Sequence, residues 1–143
     1  VAAACSEGNL SQAEKIATSP DYLQSFNLAI ETLKRVKRST DVLGFISSAE
    51  VKKEIDLGLE QFFTVLSVLM RDVLMANIDD KLILSKHIEE QISPLRSEFS
   101  QIALSRCIFE INKAKAKLKM NVPKEVVLER LLFTILEVKY KCR

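Results

Sequence analysis

"VKKEIDLGLEQFFTVLSVLMRDVLMA", residues 51–76, decides the fold class of this 143-residue chain. Ile55, Leu59, Phe62, Leu66, Leu69 and Val73 recur at steps of four and three. That spacing is an a/d seam, which lines six apolar side chains along one stripe of an α-helix. Phe63, Met70 and Leu74 form a second apolar face. A helix with two apolar faces packs between neighbours instead of lying on a surface. The stretch predicts one long helix over residues 49–76, about 42 Å if straight. Gly58 is its weak point, because glycine disfavours a helix interior.

Working outward, the same period continues on both sides. "EGNLSQAEKIATSP", residues 7–20, reads as a short helix capped by Asn9 or Ser11. "SPDYLQSFNLAIETLKRVKRS", residues 19–39, reads as a second. There Ser19 caps, Pro20 opens the first turn and Asp21 suits the positive end of the dipole. "TDVLGFIS" predicts a short helix after a Thr40 or Asp41 cap. Beyond the break at Asn77–Asp80, "KLILSKHIEEQIS" predicts another helix, ending near Pro94. Residues 94–120 then predict one helix with the stripe Leu104, Cys107/Ile108, Ile111, Ala114 and Leu118. Asn121 and Pro123 end it, since proline disfavours helix in the residue before it and opens a new one well. The last helix, 123–140, carries apolar residues too widely for one core contact. It is either central or buries one face inside and another against a partner. The fold class is therefore all-α, a bundle of about five to six helices, two or three of them long and antiparallel.

Bulk composition narrows the function. With 21 basic and 19 acidic residues the net charge is +2, so the whole domain is no polyanion binder and any basic surface is local. Only three Gly are present, too few for a phosphate-cradling loop, and neither a Walker A nor a GxGxxG pattern occurs. Cys5, Cys107 and Cys142 are odd in number and far apart, which argues for free thiols and against a disulfide framework or a zinc site. His87, the only His, has no second ligand at helical spacing. The adjacent acids in "IDDK" and "IEEQ" point in different directions, so neither is an acid/base pair. These features predict no enzyme, no cofactor and no metal. No stretch is apolar enough for a membrane span. "VAAACSEGN" lacks the pattern of a signal peptide, and the start at Val1 suggests a piece of a longer protein.

One basic run stands out. Lys113, Lys115, Lys117 and Lys119 are spaced by two, about 200° apart on a helix. Lys113 and Lys117 therefore share one side, Lys115 and Lys119 another. No aromatic residue is interleaved for base stacking. Solvated flanks are the expectation, with weak phosphate contacts from Lys113, Lys117 and Lys124 as the alternative.

Three stretches together resemble the clamp-loader subunits of bacterial DNA polymerase III. "SEGNLSQA", residues 6–13, is similar to the G-x-x-G-R-A segment of the lid domain, with Ser11 at the second Gly and Gln12 at the nucleotide-sensing Arg. "LSVLMRDVLM", residues 66–75, resembles the R-D-x-L segment of a collar helix. "NKAKAKLKMNVPKEVVLERLLFTIL", residues 112–136, resembles the closing Asn-x-Asn, L-x-L-E-x-L-L region, matching at Asn121, Leu128, Glu129, Leu131 and Leu132, with Pro123 at the second Asn. Ser105-Arg106-Cys107 looks like the arginine-finger triplet of the ATPase modules but falls inside an amphipathic pattern, so it reads as coincidence.

The resemblance covers almost the whole chain, and the degenerate sensor favours the delta-prime type of subunit. It implies the end of the lid domain at 1–19 and a helical collar at 20–143. It further implies gamma/tau and delta subunits as partners, contact with primed DNA and the sliding clamp only through the assembly, no membrane, and a cytoplasmic replisome location. Under it, Val127, Leu128, Leu131, Leu132 and Ile135 are the candidate subunit interface. One side of the closing helix would then lie in the core and the adjacent side would meet a neighbour. The competing expectation is a free-standing helical adaptor or weak nucleic-acid-binding module using the 113–124 lysines.

Overall fold

The computed structural model describes residues 22–78 and 93–142, the side chains of Asp56 and Leu57 excepted. These residues form six helices and no strand: α1 Leu23–Arg35, α2 Ser39–Ile46, α3 Ala49–Ala76, α4 Leu95–Glu98, α5 Gln101–Lys117 and α6 Lys124–Lys141. The all-α expectation holds. The expected lid segment with Gln12, the 7–20 helix, the Ser19–Asp21 helix start and residues 81–92 of the expected helix with His87 lie outside the described residues.

The predicted long helix is the hub. α3 touches each of the other five, α5 most extensively. Every residue from Phe62 to Val73 is buried, so this half of α3 is covered on all sides, as its two apolar faces require. That burial includes Arg71 and Asp72, whose Nη1 and Oδ1 pair at 2.7 Å. The helix is not straight. Gly58 sits at φ +152°, ψ 93°, and two helical segments meet there. Side chains rarely adopt that φ, so glycine permits the kink and the 42 Å rod of the sequence reading is bent.

α1 buries Phe26, Ala29, Ile30 and Leu33 against the hub. A buried polar contact fixes its register: the Ser25 hydroxyl donates to Glu54 Oε1 at 2.9 Å. α2 starts at Ser39 with Arg38 at the cap position, ahead of the predicted Thr40 or Asp41 cap. Asp41 lies inside the first turn, and its Oδ2 accepts from the backbone N–H of Arg38 at 2.9 Å and of Lys37 at 3.1 Å. Those N–H bonds, Arg38 first, hold the carboxyl below its ordinary 3.8.

The single helix expected over 94–120 is two. Phe99 is extended at φ −121°, ψ 130°, and Ser100 caps α5 by accepting from the Ala103 N–H at 3.0 Å. The break turns the Phe99 ring into the core and satisfies a first-turn N–H that would otherwise be orphaned. The Ser100 hydroxyl also donates to the Cys142 carbonyl, tying the start of α5 to the end of α6. α5 and α6, joined by the short connection 118–123, pack against each other as an αα-hairpin.

α6 corrects an expectation. It touches α5, α2 and α3, and Val127, Leu128, Leu131, Leu132 and Ile135 are each no more than 4% exposed within this single chain. Both sides of the helix are core. Its broad apolar stripe is explained by neighbours on several sides inside the bundle: Leu128, Leu132 and Ile135 are buried there, while Val127 and Leu131, also buried, back a groove between α5 and α6.

Candidate functional site

The junction between the lysine run and the closing helix forms a groove of about 190 Å³. α5 ends because the chain must turn before Pro123, and α6 begins at once behind that proline. The turn spreads the C-terminal end of α5 and the N-terminal end of α6 enough to leave space between them. Ala114, Met120, Val122, Val126, Val127 and Leu131 make the apolar lining. Met120 and Val122 are exposed, at 65% and 37%.

Charge rims this floor. Lys113 and Lys117 line the groove from α5, Arg130 and Thr134 from α6, and Glu110 is the one acidic residue among them. Glu110 pairs with Lys113 at 3.8 Å. Three basic groups against one acid leave the rim net positive. Lys113 Nζ also lies 5.5 Å from the centre of the Phe109 ring, which is itself exposed. The basic edge thus continues into an apolar one along α5.

The structure sorts the predicted residues. Lys113 and Lys117 share one side, as the 200° step requires, and both line the groove; Lys115 and Lys119 do not. Lys124 is exposed at the start of α6 and is not in the lining. Val127 and Leu131 back the floor, while Leu128, Leu132 and Ile135 lie away from it. Arg106 is exposed on α5. Arg130, Met120, Val122 and Glu110 went unrecognised in the sequence. A signal existed: Met120 and Val122 flank Asn121 in a turn, where apolar residues need a reason. Ile102 and Phe109, seven apart on α5 and both exposed, likewise fall off its core stripe.

A second, wider groove of about 580 Å³ separates residues 37–40 from the end of α6. Several of its polar groups are already engaged, the Lys37 ammonium by Glu98 outside the groove. Tyr140 Oη donates to the Lys37 carbonyl at 2.6 Å, and Lys141 meets Glu137 at 3.0 Å. Among the described residues no cluster of His, Cys, Asp and Glu could hold a metal ion, and no helix is long and apolar enough to cross a membrane.

Comparison of the chain with protein-family models, with curated proteins and with solved structures gave no match. Fold and site together define a helical bundle with a basic-rimmed apolar groove at one interhelical junction.

Proposed function

We propose that this chain is a non-catalytic assembly module. Specifically, it is the C-terminal collar domain of a bacterial DNA polymerase III clamp-loader subunit of the delta-prime type, preceded at residues 1–19 by the end of a lid domain. Its role is to hold ATPase modules in a ring with gamma/tau and delta subunits, so that the assembly loads a sliding clamp onto primed DNA in the bacterial cytoplasm. The observation that carries an assembly role is the α5–α6 groove, an apolar surface left uncovered in a bundle that buries the apolar faces of its helices. The particular assembly rests on the resemblance of residues 6–13, 66–75 and 112–136, in that order. The reading assigns no catalytic residue and no cofactor to this chain.

The alternative is a helical adaptor or weak nucleic-acid-binding module. Lys113 and Lys117 on one rim favour it, but the groove lining contains no aromatic side chain on which a base could stack.

Mixing the chain with gamma/tau and delta subunits from the same source, and measuring mass by light scattering, tests the proposal. A stable hetero-oligomer is expected. A chain that stays at 16.2 kDa beside them at micromolar concentrations refutes it.

A further inference from the structure

We propose that the α5–α6 groove receives an acidic amphipathic helix of the adjoining subunit; this rests on the assembly reading above. The shape and chemistry of the site select that occupant. A gap between two helices, lined from both and with an apolar floor, is the receptor half of helix-in-groove recognition, in which side chains at i, i+3, i+4 and i+7 anchor in the groove. Met120, exposed in the floor, is a side chain that adapts its shape to such anchors. The rim supplies the charge selection: Lys113, Lys117 and Arg130 stand around the floor, and the single acid, Glu110, is already engaged by Lys113. Glu125 and Glu129 of α6 are not in the lining, so the groove itself presents positive charge. A partner carrying Asp or Glu beside its apolar anchors meets complementary groups on both edges.

A phosphate backbone fits less well. It would use the rim and leave the apolar lining exposed, and with no aromatic ring lining the groove it would gain no base stacking. The floor is the part of the site that a nucleic acid does not explain.

Charge reversal separates the possibilities. Lys113→Glu/Lys117→Glu alters the rim and nothing in the core. Lys52→Glu/Lys53→Glu makes the same charge change on exposed positions of α3 and serves as control. Melting curves establish that both variants fold. Binding to the gamma/tau and delta subunits is then measured by light scattering and titration across a salt series. The groove variant should lose about tenfold in affinity, most of it at low salt, and the control should match the wild type. In parallel, a photoactivatable phenylalanine at Met120 should cross-link to an acidic amphipathic helix of a neighbouring subunit. If the wild type assembles and the groove variant assembles equally well, the groove is not the docking site, while the assembly reading stands. Capture of primed DNA at Met120 in place of protein would also overturn the proposal, in favour of nucleic acid. If the wild type itself fails to assemble, both readings fall together.

Discussion

Glu98 joins three elements through one carboxylate. Oε1 meets Lys37 Nζ at the α1–α2 connection, and Oε2 lies 3.6 Å from Lys139 Nζ on α6. The Lys139 side chain is only 10% exposed and lies 5.2 Å from the Phe99 ring centre. Removing the carboxylate charge would leave that ammonium buried with aromatic faces alone for compensation, which is the costly way to break a pair. Glu98→Gln is expected to destabilise the chain by about 1–3 kcal/mol. Lys141→Gln, which breaks a pair with both side chains more than half exposed, should stay within about 0.5 kcal/mol. Urea titration of both variants checks the contrast; equal effects would mean that burial of Lys139 is not what matters. Cys107 gives a second residue-scale test. Burial, and after it the nearby Cys142 and Glu110, push its thiol up to about 12 from an ordinary 9.0. In a Cys5→Ser/Cys142→Ser background, an aromatic disulfide reagent at neutral pH should label it only as fast as the chain unfolds. The sign of the linkage follows. The folded state keeps this proton where the unfolded state releases it, so the contribution is whole below pH 9 and is lost between about 9 and 12. A melting temperature unaffected by Cys107→Ala across that window would contradict it.

At the scale of the element, α3 and α6 each carry a decision. Helix propensity says that Gly58→Ala should stabilise α3 by about 1 kcal/mol. The observed φ of +152° says the opposite: space exists for the methyl group, yet the backbone is one that a side chain rarely adopts. The expected outcome is a loss of about 1–3 kcal/mol. A gain on thermal melting would show that the two segments straighten into one helix without cost. For α6, Leu131→Asp and Leu132→Asp lie on adjacent sides of the helix. Because both leucines are buried in the chain, both substitutions should unfold it, as an unpaired charge in a core does. A folded Leu131→Asp or Leu132→Asp variant by circular dichroism would reopen that side of α6 as a surface.

At the scale of the whole molecule, charge is nearly balanced, and α5 with its exit turn carries a disproportionate share of the exposed apolar side chains described. Ile102, Phe109, Met120 and Val122 account for half of the large exposed apolar residues described. A surface of that kind is suited to protein contact, and its few cations neutralise few phosphates. Binding of single-stranded DNA should therefore be weak, indifferent to sequence, and abolished by moderate salt. Fluorescence anisotropy with a labelled oligonucleotide across a salt series measures it. Nanomolar affinity that survives 200 mM salt would put the nucleic-acid reading first (a loss of 10³–10⁵ is usual for ~6–10 phosphate contacts).

The sequence by itself determined the helical class, because burial on a helix obeys a 3.6-residue period whatever the surroundings. Ile55 through Val73 and Leu104 through Ala114 are legible for that reason, and so is the shared side of Lys113 and Lys117. Pro123 is legible because its restriction is local. What the period cannot say is what stands opposite a stripe. The broad apolar band of α6 looks the same whether α2, α3 and α5 cover it or a second subunit does, and only the tertiary structure decided for the former. The bend at Gly58 and the break at Phe99–Ser100 escaped for a related reason: each is a local cost offset by packing elsewhere, the Phe99 ring in the core and α3 laid against five neighbours. The groove was half legible. Its basic rim follows from spacing along α5, but its floor exists only because two helix ends diverge across a turn, and Arg130 joins Lys113 through space that no sequence interval records.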